Sequence, residues 1–405
     1  MKKTSLFLSM AGFLLMAGIF FSCTKDPTLT DADELSLKSA PITVALTPME
    51  QLGKHLYFDK ISSPNSMACA DCHAASVGFT GPVVGFNIHG SVYRGADAQN
   101  FGDRKPPSAA YATFAEVLHR DEDGTFEGGM FWDGRATGET LGSPAAEQAL
   151  GPFLNPAEHN LKSKLEVLQK IAKSNYISMW KEAFPNDFSL EDADVDKIYD
   201  QVGLAIAAYE GSGEVNQFSS KFDYVMKGQA EFTEQEAWGL ELFEGKGKCA
   251  ECHPTTFDDD VVLFTDYTYD NLGVPKNPEN PVYKYNPGFI DKGLGGFLAT
   301  TDKWKMYADE NMGKQKVPTL RNVDKRPGLG FTKAYTHNGY FKSLKEVVHF
   351  YNTRDVPGAM WPPAEYPENI NTDELGNLGL TDAEEDAIVA FMATLSDGYQ
   401  VKLKK

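Results

Sequence analysis

Two five-residue units carry the most specific chemistry in this chain: CADCH, from Cys69 to His73, and CAECH, from Cys249 to His253, which begins 180 residues later. In a CxxCH unit two thiols lie one turn of chain apart and an imidazole follows directly. Thiols so spaced reach the two vinyl groups of one haem, and the histidine then lies beneath the iron as an axial ligand, which makes CxxCH the attachment sequence of c-type haem. The same residue types serve as zinc ligands or as a redox-active dithiol. Structural zinc pairs lie much closer together in sequence, and a redox CxxC accompanies a βαβ pattern that this chain lacks. Of the five cysteines only Cys23 lies outside the two units, so no structural disulfide framework remains. The sequence therefore predicts two covalent haems c, one on Cys69, Cys72 and His73 and one on Cys249, Cys252 and His253.

A helix must deliver each unit, and the two deliveries are alike. In TPMEQLGKHLYF, Thr47 is the N-cap, Pro48 takes the first helical position and Glu50 closes a capping box, with Leu52 and Leu56 on the apolar face. In TEQEAWGLELF, Thr233 and Glu236 form the box, and Trp238, Leu242 and Phe243 form the face. A closing helix also recurs: VDKIYDQVGLAIAAYEGS in the first half, and LTDAEEDAIVAFMATLSDG, running from Thr381 to a stop near Gly398, in the second. The stretch LKSKLEVLQKIAKSNYISMWKEAF predicts one more amphipathic helix. Period-two patterns are scarce, and long loops are expected at 78–107 and 267–296, where function concentrates. The expectation is a mainly α protein of two related modules, 47–215 and 216–405.

At 405 residues the chain exceeds one small domain, and 42% hydrophobic with 23% charged residues is ordinary for a globular protein. A formal charge of −19 argues against nucleic acid; it suits a basic protein partner, or simply keeps the protein in solution. Lys2 and Lys3 precede an apolar run that ends at Ser22, so residues 1–22 read as an export signal. Cys23 falls where a bacterial lipoprotein carries its lipid, and 23–46 reads as a flexible tether. No other stretch is long and apolar enough to span a membrane. The expected location is the periplasm or cell envelope, with any membrane anchoring through the lipid.

The order CxxCH, FWDGRA, EQALGPFLNPAE, CxxCH, VPTLRNV, HNG, SLKEVV resembles the bacterial di-haem cytochrome c peroxidases and their methylamine-utilisation oxidase relatives over roughly residues 47–398. The resemblance implies two cytochrome c-like helical domains. In it, the first haem binds peroxide and the second relays electrons from a small soluble carrier such as a monohaem cytochrome c. Trp132 of FWDGRA would lie between the haems and carry electrons. Glu158 would be the distal acid–base, with Gln148 orienting peroxide and Pro152 beside them; the segment TGETLGSP is a short insertion before Gln148. Arg321 and His337 would lie near the second haem, where a cation pairs with a propionate. His89 is the candidate distal ligand of the first iron, and otherwise a loop histidine. Tyr351 is the candidate distal ligand of the second iron, with Met360 the alternative. The family's calcium ion would use an Asn side chain and the carbonyls of Thr332 and Ala334. Here Lys105 stands at the Asn position, where an ammonium repels or replaces the ion, so the sequence leaves calcium open. The function implied is reduction of hydrogen peroxide to water. The alternatives are an oxidase acting on a protein aromatic residue, a dihaem electron carrier without catalysis, and a lipoprotein binding zinc or forming a disulfide without haem.

Overall fold

Helix begins at Pro48, directly after Thr47, whose hydroxyl accepts from the Glu50 amide while the Glu50 carboxylate accepts from the Thr47 amide. The computed structural model describes residues 45–256 and 261–401. The export signal, Cys23 and nearly all of the tether lie outside the described residues.

The protein is built of helices and loops with little sheet. The longer helices are α1 (Pro48–Phe58), α2 (Pro144–Leu154), α3 (Lys164–Ile171), α4 (Val195–Glu210), α5 (Lys221–Met226), α6 (Glu234–Glu244), α7 (Gly293–Leu298), α8 (Leu344–Thr353) and α9 (Asp382–Ala393). Among the described residues, strands are confined to two antiparallel pairs. His119–Arg120 lies against Phe126–Glu127, and Tyr269–Asp270 lies against Gln315–Lys316, with Tyr269 opposite Lys316.

Two apolar cores organise these elements. In the first, α1, α2 and α3 pack on α4, burying Leu52, Leu56, Val202 and Ile206. In the second, α6 and α8 pack on α9, around Phe243, Phe264, Phe350 and Phe391. The two crossings share one device. A Cβ on Gly53 of α1 would come within 1.8 Å of the Ala205 carbonyl oxygen, and one on Gly239 of α6 within 2.0 Å of the Ala387 oxygen. Each glycine stands six residues after its threonine cap. The recurrence noted in the sequence thus extends to the backbone contact between opening and closing helices.

Three local expectations need correction. The single helix expected over 161–184 is broken into α3, a 3-10 turn at Ile177–Met179 and a short helix at Trp180–Ala183. Ser174 and Asn175, weak helix formers, sit at the break, which lets Tyr176 and Trp180 turn into the first core, with the Tyr176 hydroxyl donating to Asp59 at 2.6 Å. Trp238 is 39% exposed rather than part of the buried face, because Gly239 makes the close approach instead. The last helix stops at Ala393, short of Gly398. Asp397 is used otherwise: it accepts from Tyr111, Ser219 and Asn322.

Arg321 closes the second core against the first. Its guanidinium makes two hydrogen bonds to Asp223, at 2.9 and 3.0 Å, and one to the Val262 carbonyl at 2.6 Å. It also stacks over Tyr111 and Phe218. Burial alone would raise the Asp223 carboxyl, but Arg321 and Ser220 bring it below its ordinary value. Removing one partner of a buried pair strands the other charge, at a cost of roughly 3–5 kcal/mol. Asp223→Asn is therefore expected to lower the unfolding free energy by about that amount, measured by denaturant titration; a change within error would show that Arg321 finds other neutralisation.

Candidate active site

Both CxxCH units are held in the same way. In the first, the His73 amide donates to the Cys69 carbonyl at 2.9 Å and Tyr57 donates to the His73 carbonyl at 2.7 Å. In the second, the His253 amide donates to the Cys249 carbonyl at 2.9 Å. Each imidazole gives its Nδ1–H to a backbone carbonyl, His73 to Phe79 at 3.2 Å and His253 to Phe264 at 2.7 Å. That bond fixes the tautomer and leaves Nε2 as a free lone pair, the arrangement of a metal-ligating histidine. Burial lowers both imidazoles, His73 to about 4, so they are neutral donors at physiological pH.

The four thiols are free. Burial pushes Cys72 and Cys249 up to about 12, and Cys69 and Cys252 higher still. Cys69 packs on the first core and Cys249 on the second. The two pairs therefore serve separate sites, which is not how a single four-thiolate zinc centre is built.

Beside the second unit lies a deep cavity. Cys249, Cys252 and His253 line it, with an apolar wall that includes Phe243, Val348 and Met392. On the polar side both amide atoms of Gln315 and the Nε2 of His337 are buried without a hydrogen-bond partner. A cavity with an apolar wall on one side and unpartnered polar atoms on the other fits a flat macrocycle with charged carboxylate edges. His337 Nε2 stands 3.8 Å from Glu365 and 4.0 Å from Asp291. Arg321 lines the same cavity, already paired with Asp223. Gln315 gave no signal in the sequence, because its importance comes from having no partner in the fold.

Tyr351, on α8, lines this cavity. Burial raises its phenol, and Cys252 and Cys249 add to the shift. Met360 is 97% exposed on a loop, outside the cavity. Its neighbour Trp361 packs on Phe341 and Phe350 instead.

Trp132 stands in the wall of the cavity and is buried. Its indole N–H donates to the Lys105 carbonyl at 2.8 Å, its own carbonyl accepts from the Lys316 amide at 2.8 Å, and its ring meets His337 edge-on at 6.4 Å. Adjacent Asp133 is bound by Arg104, which also grips Asp291 through two hydrogen bonds. The two long loops anticipated in the sequence meet at this pair, and together they fix Trp132.

Near the first unit, α2 carries half-buried Gln148 and Pro152, and the following turn carries Glu158. The Glu158 amide donates to Asn155 and the His159 amide to Pro152, so the turn is folded back on the helix end. Glu158 is half-buried and accepts from the Asn155 side chain at 2.9 Å. Burial raises its carboxyl, Asn155 and Arg135 oppose the rise, and Asp103 adds to it. After burial, the charge of Glu158 also helps to push up Cys72, and it is the last of the causes that raise Cys69, so its field reaches the first unit.

His89 lies elsewhere. Its side chain is 63% exposed and pairs with Glu279 at 3.1 Å. His159, which sequence reasoning passed over, is 3% exposed and bonds the Ile61 carbonyl through Nδ1 at 2.7 Å. It thus shares the tautomer of the two CxxCH histidines, and its field reaches His73.

Glu210, at the end of α4, is buried and adds to the Cys69 shift. Burial pushes its carboxyl from 4.5 up to about 8. A raised acid pKa contributes stability that is full below about 4.5 and is lost as pH rises through about 8. Glu210→Gln should flatten that slope and make the variant the more stable protein at pH 8, by several kcal/mol at most. Urea midpoints at pH 5 and pH 8 check this; parallel curves for the two proteins would mean that Glu210 titrates alike folded and unfolded.

Residues 47–231 match the family described as di-haem cytochrome c peroxidase. The chain is 33% identical over 361 residues to methylamine utilization protein MauG of Paracoccus denitrificans (strain Pd 1222), across 85% of this chain and 88% of that one. It is 27% identical to cytochrome-c peroxidase IdrP2 of Denitromonas iodatirespirans, across 86% and 81% of the two chains. The crystal structure of the diheme peroxidase BthA from Burkholderia thailandensis E264 superposes with a TM-score of 0.75 at 30% identity, covering 86% of each chain. With two CxxCH histidines each anchored through Nδ1 to a backbone carbonyl, a cavity lined by the second unit and relatives alike over most of their length, this chain belongs to the di-haem cytochrome c peroxidase family.

Proposed function

We propose that the protein is an exported peroxidase that reduces hydrogen peroxide to water at its first CxxCH site, with electrons delivered to the second by a small redox protein such as a monohaem cytochrome c. The observation that carries this reading is Glu158, a half-buried carboxyl raised by burial and held by Asn155, with its charge felt at Cys72. The net reaction, H2O2 + 2 e⁻ + 2 H⁺ → 2 H2O, needs a proton moved from one peroxide oxygen to the other as the O–O bond breaks. Haem on His73 would supply the electrons for that cleavage, and haem on His253 would store and pass on the donor's electrons.

The chain's own residues do the rest. Asn155 pins one carboxylate oxygen of Glu158 and leaves the other free to take and return a proton. A pKa raised toward neutrality suits both directions. Gln148 cannot titrate and serves to orient peroxide. Pro152 accepts from the His159 amide and so holds the Glu158 turn to α2. Trp132, clamped at its indole N–H and its carbonyl, is the oxidisable side chain through which electrons pass. Gln315 and His337, whose buried polar atoms lack partners, would hold the carboxylate edge of a haem on His253, with Arg321, already paired with Asp223, in the same cavity wall. The charge of −19 favours a basic donor. Trp132→Phe should slow electron passage between the sites without unfolding the protein, at the cost of the buried bond to the Lys105 carbonyl; single-turnover rates equal to wild type would make Trp132 a packing residue.

One observation favours a second reading. Tyr351, not Met360, faces the second pair of cysteines. A hard phenolate ligand favours higher oxidation states where a thioether raises the potential, and this suits an oxidase acting on a protein aromatic side chain. Reduced cytochrome c mixed with peroxide and the holoprotein separates the two. Two cytochromes oxidised per peroxide support the peroxidase. Peroxide consumed with aromatic residues modified and cytochrome untouched supports the oxidase. Two low-spin ferric EPR signals in every redox state, with no peroxide consumed, would leave only an electron carrier.

A further inference from the structure

The seam between the two halves of the chain is lined with lysines that bind no carboxylate. Lys333 is buried, and its Nζ donates to the carbonyl oxygens of Val77 at 2.9 Å, Asn322 at 2.7 Å and Lys325 at 3.3 Å. Lys342 donates to the His89 and Gly339 carbonyls, both at 2.6 Å, and to the Ser91 hydroxyl at 2.9 Å. Lys316 donates to the Gly128 carbonyl at 2.7 Å and the Tyr267 carbonyl at 3.0 Å. In each case a lysine of the second half grips an oxygen of the first: Val77, His89 with Ser91, or Gly128.

Lys333 lies between Thr332 and Ala334, the two residues whose carbonyls the family resemblance assigns to calcium. That place does not suit a divalent cation here. The Thr332 carbonyl already accepts from the Asn87 amide at 3.1 Å, and Tyr93 donates to the Asn87 oxygen, which keeps the amide N–H groups turned to Thr332 and Gly81. Lys105, at the position of the expected Asn, donates its ammonium to Thr80 and the Pro106 carbonyl. Lys105 and Lys333 feel each other's charge. Two ammoniums in one buried region repel a metal dication.

We infer that the Lys333 ammonium is the cation that joins the two halves, supplied from within the chain, and that this protein holds no calcium at the seam. Burial draws the Lys333 pKa well down. The three oxygens around Nζ oppose that shift and favour the charged form. Three oxygens surround Nζ, and an ammonium has three N–H donors to match them; a neutral amine has two and a lone pair, which would face the third oxygen. The inference rests on these contacts and not on which substrate the enzyme takes.

The test uses the purified holoprotein with both haems. Metal analysis should find no stoichiometric calcium, and the melting temperature should be the same with and without EGTA. One calcium per chain, or a melting temperature lowered by EGTA, would overturn the inference. Lys333→Ala takes the ammonium from the Val77 and Lys325 carbonyls and leaves the Asn322 carbonyl with the Lys325 amide alone; it should melt several degrees lower, with part of the loss restored by methylammonium chloride but not by the same concentration of sodium chloride. If the variant melts like wild type, or melts low and does not respond to methylammonium, Lys333 is not the joining cation. Should it fail to fold, the calcium content and EGTA response of the wild type still decide.

Discussion

Glu158→Gln is expected to lower peroxide turnover by roughly 10²- to 10⁴-fold, the span that a positioned general acid–base contributes. Glutamine keeps the shape of the side chain and can still meet Asn155, so the turn over α2 should persist. What it cannot do is carry a proton from one peroxide oxygen to the other. Haem content, visible spectra and melting temperature should therefore match wild type, and the loss should fall on kcat/KM for peroxide. The sign with pH follows from the raised carboxyl. The carboxylate must be present to take the first proton, so wild-type activity falls as pH drops through a value above the ordinary glutamate range, and the variant shows no such limb. Stopped-flow measurement from pH 4 to pH 8 checks both points. Turnover near wild type would sink the acid–base assignment while leaving the haem sites untouched.

Replacing Cys69 and Cys72 together by alanine should leave one covalent haem per chain and abolish peroxide reduction. Replacing all four cysteines should leave no covalent haem. The two losses are expected to be independent, because Cys69 packs on the first core and Cys249 on the second. Each histidine also has its own carbonyl anchor, Phe79 or Phe264. A haem stain of a denaturing gel, with intact-mass measurement, reads the result directly. Unchanged haem in either variant would contradict the attachment on which the whole reading stands.

The parts of this protein that were legible in the sequence are those governed by short-range chemistry. A CxxCH unit is complete within five residues, and a capping box within four, so Thr47 with Glu50 and Thr233 with Glu236 formed as expected. The family order of motifs also pointed to Trp132, which stands in the cavity wall, and to Gln148 and Glu158, which lie on α2 and in the turn after it. The failures came where the outcome depended on partners far away in the chain. Apolar periodicity over 161–184 looked like one helix, but Tyr176 and Trp180 could reach the first core only if the helix broke. Trp238 had the right spacing for burial, yet Gly239 was the residue that Ala387 could approach.

The same division runs through the site. Sequence alone determined that this chain carries two CxxCH units on two similar helical frames, and to which family their order belongs. It put Tyr351 before Met360, nine residues on, only through the family resemblance, because their places depend on which residue α8 turns into the cavity and which a loop leaves in water. Nor could it show that His89 would meet Glu279, that Gln315 and His337 would line the cavity without a hydrogen-bond partner, or that Lys333 would find three carbonyls from two segments far apart in the chain. A hydrogen bond extends only about 3 Å, and only the tertiary fold brings residues hundreds of positions apart within that distance.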